Sequence, residues 1–242
     1  KLMAIVTTKA IVLSAIKYGD TSLIVKCYTL QEGVKSYLVR GVLKPKKKGI
    51  TAAYFQPLTQ LKIVANHNTK NTLNSFKEVQ IDHPYKTVHT NIIKQSVVLF
   101  LSEVLSNSIQ EEEQNTVLFE YLETALQWLD LHEHVANFHL LFLLNLTGFL
   151  GFYPDLKDMD YLGFDLQEGV FSNHFSNKYI IHKNDFHQFK KLLGITFDTL
   201  EKVSYSKEER QLVLQIIIKY FKLHLGNFRA LKSLQVLETV FS

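Results

Sequence analysis

The chain has 242 residues, enough for one large domain or two modest ones, and its 46% hydrophobic and 21% charged content excludes a disordered, collagenous or polytopic membrane protein. Its single cysteine, Cys27, excludes an internal disulfide framework and any multi-cysteine metal site. The formal net charge of +4 averages unlike parts: residues 1–80 carry 13 Lys and Arg against 3 Asp and Glu, and residues 81–242 carry 14 against 20. A strongly basic part joined to a mildly acidic one points to a polyanion-binding region attached to something else.

The first 80 residues read as strands. Ala10–Ile16 is rich in Ile and Val and runs into the turn residues Tyr18-Gly19-Asp20-Thr21. Ser22–Thr29 follows, with a second turn at Glu32-Gly33. Val34–Val42 alternates, placing Lys35, Tyr37 and Val39 on one face. After a basic loop, Tyr54–Ala65 gives a fourth strand, bulged near Pro57, and Leu73–Ile81 a fifth. Five short strands with a long third connection fit a small Greek-key barrel of the OB type; an SH3-like barrel shares the pattern.

Beyond Asp82-His83-Pro84 the period becomes helical, so the expected fold is α+β, with a barrel over 1–80 and a helical domain over 81–242. Helices are expected over 91–105, 116–131 and 138–150. The third is apolar nearly all round, as a central bundle helix should be. A loop-rich segment over 151–181 follows. Asn184 is expected to cap a short helix stopping at Gly194, and Ser206 with Glu209 forms a capping box for a long helix ending at Gly226. The apolar run Leu2–Val6 is too short for a signal peptide. Phe138–Phe152 falls short of the roughly 20 residues a membrane span needs, so the expected location is cytoplasmic, with no membrane partner.

The sharpest feature is Arg40-Gly-Val-Leu-Lys44-Pro-Lys46-Lys47-Lys48-Gly49. Four lysines within five positions repel one another and must face solvent. Lys26, Lys35 and Lys62 share the same region with almost no acids to neutralise them. Such a surface funnels a phosphate backbone, and lysine point charges bind it with little sequence preference. Tyr37 and Tyr54 lie close by in sequence as candidates for base stacking. Nothing points to catalysis or a resident metal or cofactor. His132-Glu133-His134 lacks the spacing that sets two imidazoles on one helix face. Cys27 sits in an apolar strand, where a buried inert thiol is expected.

The segments AIVL (10–13), YGDTSLIVKCYT (18–29), VRGVLKPKKK (39–48) and FQPLTQLKI (55–63), then FHLLFLLNLTGFLGFYPDL (138–156) and HLGNFRALKSLQVL (224–237), resemble in order and spacing the RecO family of bacterial recombination mediators. The resemblance implies a non-enzymatic DNA-repair protein with an OB domain and a helical domain, nucleoid-associated in the cytoplasm. Its implied partners are single- and double-stranded DNA, RecR, the acidic C-terminal tail of single-strand DNA-binding protein and, indirectly, RecA. It implies strand annealing and help in loading RecA. By match to the family's motifs, Arg40 and the Lys44–Lys48 loop carry the DNA role. Arg229 and Lys232, as exposed cations near the carboxy terminus, are candidates for DNA or partner contact, the other reading being a helix terminus that packs back on the bundle. Many relatives place a four-cysteine zinc module after the Pro-x-Leu turn; here Met159 and Leu162 stand where the first pair falls. The segment over 151–181 is therefore expected to be a degenerate, cysteine-free module held by Met159, Leu162, Phe164 and Phe171. The alternatives are a generic OB single-stranded DNA- or RNA-binding protein with a helical oligomerisation domain, and a hydrolase using the histidines.

Overall fold

The structure is a computed structural model and describes residues 3–44, 49–68 and 73–241. The chain divides into two compact units, Lys1–Leu131 with Leu231–Leu237, and His132–Ala230 with Glu238–Ser242.

In the first unit five antiparallel strands, β1 (Met3–Tyr18), β2 (Ser22–Thr29), β3 (Gly33–Val39), β4 (Gln60–Asn68) and β5 (Ser75–His83), lie in the order β3-β2-β1-β4-β5. A parallel bridge between Tyr37 and Asn74 joins the two ends, with Leu38 N–H donating to the Asn74 carbonyl at 3.0 Å and Asn74 N–H to that of Ser36 at 2.8 Å. The circuit is a closed Greek-key barrel of the OB type. Closure satisfies the backbone groups that an open edge would leave unpaired. Its interior is filled by alternate residues of every strand, among them Val12, Val25, Cys27, Tyr37, Leu61, Ile63 and Ala65. Full burial of one such aliphatic side chain contributes about 1.5–3 kcal/mol.

Two elements differ from the sequence reading. β1 begins at Met3, well before Ala10, because its first half pairs with β4 and its second half with β2. A register shift between Val12 and Ser14 bends the strand so that it serves both neighbours. The stretch from Tyr54 is not a strand. Ala52–Phe55 is a 3-10 turn, Pro57 offers no ladder donor, and Phe55 stacks on Phe76 at 5.7 Å as part of the barrel core.

Outside the barrel, α1 (Ile92–Ser108) and α2 (Thr116–Leu131) cover the outward residues Ile11, Leu13 and Tyr28, all at most 1% exposed. Asn91 caps α1 by accepting from the Ile93 and Lys94 N–H groups. Asp130, near the end of α2, accepts from the backbone N–H of Lys86, Thr87 and Val88 at 2.8–3.1 Å. Burial alone would raise its pKa, but those donors hold the carboxyl below its ordinary value. Lys94, only 3% exposed, donates to the Thr87 hydroxyl and the Asp130 carbonyl. This network ties the β5–α1 connection to α2 within the same compact unit as the barrel, although the composition changes near residue 80.

The second unit holds α3 (Phe138–Phe149), a small sheet of β6 (Gly163–Asp165), β7 (Val170–Ser172) and β8 (Ile180–His182), then α4 (Lys183–Lys190) and α5 (Lys207–His224). A last helix, α6 (Leu234–Val240), closes the chain. α5 opens on the expected capping box, both of its hydrogen bonds being present. α4 is preceded by His182 at the cap position; Asn184 instead accepts from the Gln188 amide one turn on. In the small sheet Phe164 and Phe171 are buried, Phe164 packing against Phe171, Phe189 and Tyr220. Leu162, expected among the packing residues, is 67% exposed. β6 is three residues long, so Leu162 falls beyond its end, where those rings leave no core to enter. Among the described residues no helix is long and apolar enough to cross a membrane, and no cluster of three His, Cys, Asp or Glu side chains is placed to hold a metal.

Candidate nucleic-acid interface

A polar groove of about 640 Å³ lies along β3 in the first unit, lined by Lys35, Leu38, Arg40, Asn68, Asn74 and Glu112, among others. Its position follows from barrel closure. The Tyr37–Asn74 bridge sets Asn74, just before β5, beside β3, and in OB barrels that combination of surfaces takes up oligonucleotides. Arg40 follows β3 in a turn that needs Gly41 at φ +65°, and Leu43 N–H donating to the Thr21 carbonyl pins that turn to the β1–β2 connection. Lys46, Lys47 and Lys48 lie outside the described residues.

The structure sorts the remaining sequence candidates by what their side chains already hold. Arg40, Lys44 and Lys62 are exposed and have no ion pair among the described residues. Lys62 stands on the outward face of β4, opposite Lys9 on β1 and Gln80 on β5. Lys9 is taken: it bonds Glu123 at 2.7 Å and Asp82 at 3.1 Å, and these carboxylates raise its pKa. Lys26 donates to the Ser106 carbonyl at 2.7 Å, where the last turn of α1 has no backbone donor to offer and the helix dipole is negative. Its role is to cap a helix. Lys35 is 17% exposed and lies 2.9 Å from Glu112 and 3.9 Å from Glu32.

The aromatic candidates are corrected by the fold. Tyr37 is fully buried, stacked on Phe76 at 4.1 Å, and shares a hydrogen bond of 2.8 Å with His67 Nε2. Burial pushes its hydroxyl pKa up, and a ring inside the barrel cannot receive a base. Tyr54 is half-buried against the same core. Register explains Tyr37, since inward positions of β3 are filled by whatever ring stands there; Tyr54 is drawn against the core by the 3-10 turn Ala52–Phe55. His67 continues inward chemistry of its own, its Nδ1 lying 2.6 Å from Glu32 and fixing the β2–β3 turn to the end of β4. Arg229 is exposed in the second unit. Lys232 is exposed in the first, where its backbone N–H donates to Glu103.

The groove has one acidic wall, which carries Glu112. Glu111–Glu113 runs along β3 with the Glu111 carbonyl accepting from Val34 N–H at 3.0 Å. The approach depends on Gly33, where a Cβ would meet the Glu111 carbonyl oxygen at 2.5 Å. Glu112 is thereby set against Lys35, a carboxylate in the place where a phosphate would sit. The asparagines Asn68 and Asn74 were missed because they carry no charge. Their signal was the Asn-rich β4–β5 connection itself, which brackets Lys70.

A separate groove of about 490 Å³ in the same unit is mainly apolar, with Leu13, Phe55, Leu99 and Val236 in its walls and Lys232 beside Glu103.

Comparison with known proteins gives matches along nearly the whole chain. The family described as "Recombination protein O N terminal" matches residues 3–85, and "Recombination protein O C terminal" matches residues 89–235. A protein of Flavobacterium psychrophilum named "DNA repair protein RecO" is 48% identical over 238 residues, covering 98% of this chain and 99% of the relative. Its namesake from Flavobacterium johnsoniae is 46% identical with the same coverage of each chain, and that from Bacteroides fragilis 36% identical over 97% of this chain and 98% of the relative.

Proposed function

Because the chain belongs to the RecO family, and so to the proteins of DNA repair and recombination, we propose that it acts as a mediator that binds single- and double-stranded DNA without sequence preference and anneals complementary strands. The observation that carries this reading is the groove along β3, an OB ligand face whose lining includes Arg40, a cation with no ion pair among the described residues. Point charges that contact phosphates and not base edges give sequence-tolerant binding. Neutralising the phosphates of two strands on one surface lowers their mutual repulsion, which is the barrier to pairing. No covalent step is required.

We assign the protein contacts to RecR and, through it, to loading of RecA in the cytoplasm. The acidic tail of single-strand DNA-binding protein would need an apolar concavity with a cation at its rim; the groove bearing Leu99, Val236 and Lys232 meets both demands. Annealing of complementary oligonucleotides coated with the cognate single-strand binding protein tests the whole reading. The reaction should require the acidic tail, and Leu99→Glu, at a side chain 41% exposed, should abolish the difference between tailed and tailless coats. Equal annealing with either coat by the wild-type chain would remove the mediator role, leaving a generic OB nucleic-acid binder.

A further inference from the structure

Barrel closure joins the two ends of the sheet, β3 and β5, but leaves half of β1 with a neighbour on one side. β4 accompanies β1 only from Met3 to Ile11, and β2 runs beside it from Ala10 to Tyr18. Val12 is still held on the β4 side, donating to the Thr59 carbonyl at 3.1 Å and accepting from Leu58 N–H at 2.9 Å. There the neighbouring chain turns away. Thr59 N–H donates to the Gln56 carbonyl at 3.2 Å across a turn with Leu58 at φ +57°. Pro57 has no N–H to offer, and its carbonyl oxygen lies 3.1 Å from His89 Nε2. Among the described residues no backbone hydrogen bond reaches residues 13–18 from that side. In a strand paired on one edge, alternate residues turn their N–H and C=O groups to the other, so this stretch carries donors and acceptors that the barrel does not use.

The open edge borders the apolar groove of the same unit, which Leu13, Ser14 and Ala15 line together with Phe55, Leu99 and Val236. An edge flanked by apolar walls is the setting for strand addition, in which main-chain hydrogen bonds supply affinity and alternate side chains enter pockets. Ile16 and Tyr18, 64% and 55% exposed, are large apolar side chains on the same stretch, and an unpaired edge that also exposes such side chains is a template for another chain. Lys17 and Lys232 are exposed, and neither has an ion pair among the described residues. Glu103, the carboxylate of the groove wall, is taken up by the N–H groups of Lys232 and Ser233 and by the Ser233 hydroxyl. The two ammonium groups are thereby left to an acidic partner.

We propose that an extended peptide of acidic and apolar residues adds to the barrel as a further strand, pairing with the edge of β1 over residues 13–17, with alternate side chains set against Leu99 and Val236 and its carboxylates near Lys17 and Lys232. The added strand presupposes the acidic tail assigned to this groove above and specifies how it is held: the backbone of β1 binds it, and the groove walls select its side chains. A nucleic-acid strand has no repeating N–H and C=O groups to offer the edge, which favours a peptide.

The test is fluorescence anisotropy of the full wild-type chain with a labelled synthetic peptide of the tail, then with analogues that each carry one methylated backbone nitrogen. Within the paired stretch, methylation should weaken binding about tenfold at every second residue and little at the residues between, because only alternate N–H groups meet the edge. Amide hydrogen exchange, followed residue by residue, should slow about tenfold at alternate positions among residues 13–17 when peptide saturates the chain. Binding with no alternation along the peptide and no slowing at β1 would overturn the added strand while leaving the tail in the groove. Slowing that grows with protein concentration in the absence of peptide would overturn it in favour of a second copy of the chain. A wild-type chain with no affinity for the peptide would remove the tail assignment as well.

Discussion

Replacing Arg40, Lys44 and Lys62 together by alanine should cost the protein about two units of salt dependence. The three side chains are exposed and unpaired among the described residues, so each is available to displace one condensed counterion from a strand. At about 0.7 per phosphate on a single strand, three contacts contribute about 2 to the slope of log affinity against log salt, and about a hundredfold in affinity at 0.1 M salt. The comparison that gives the experiment its force is Lys26→Met. That lysine belongs to the same basic barrel, but its amine is committed to the Ser106 carbonyl at the end of α1. Its loss should leave the slope untouched and lower stability by about 1 kcal/mol, the worth of one hydrogen bond at a helix end. Anisotropy titrations of an oligo-dT strand between 50 and 400 mM salt, with urea melts of the same samples, separate the two effects. If Lys26→Met flattened the slope as much as the triple variant, the sorting of cations by their partners would be wrong.

Other expectations follow from the same structure. Glu112→Gln releases Lys35 from its 2.9 Å partner, so single-strand affinity should rise about fivefold at 0.1 M salt and the slope steepen by about 0.7; a weaker-binding variant would show that Glu112 organises the groove instead of competing for it. Asp130→Ala strands the three backbone N–H groups of Lys86, Thr87 and Val88 and should cost about 3–5 kcal/mol in urea melts at pH 7. Burial, with a smaller push from the Arg210 charge, drives the His139 imidazole down to about 3 from 6.5. Between those values the unfolded chain binds a proton that the folded chain refuses. Stability from this residue is therefore full above pH 6.5 and falls on acidification by about 1.4 kcal/mol per unit. His139→Leu should shrink the stability difference between pH 7 and pH 5 by about 2 kcal/mol. Finally, dialysis against EDTA should leave the thermal midpoint unchanged, whereas zinc near one per chain by atomic emission would overturn the metal-free reading of residues 151–181.

Local signals were legible in the sequence and distant ones were not. β2 spans Ser22–Thr29, α2 spans Thr116–Leu131, and the Ser206–Glu209 box opens α5, as their residues require; each rests on neighbours within a turn or a pleat. The first half of β1 escaped notice because its partner β4 lies some fifty residues on, and a three-residue strand such as β6 is too short to show a period. The same limit governs the site. Charge density identified the barrel as the basic region, but Lys35 meets Glu112 across 77 residues and Lys26 meets Ser106 across 80. No pattern in the vicinity of either lysine distinguishes it from Arg40, which remains open to solvent.

The small sheet of the second unit has a chemical consequence of its own. Phe164, Phe171, Phe189 and Tyr220 hold it by ring contacts, and the one thiol of the chain lies sealed in the barrel, its pKa pushed up by burial. Thiolate clusters are oxidised by the peroxides that also break DNA. A knuckle built of phenyl rings offers peroxide no thiolate to attack, so cysteine oxidation is not a route by which this part of the chain can come apart.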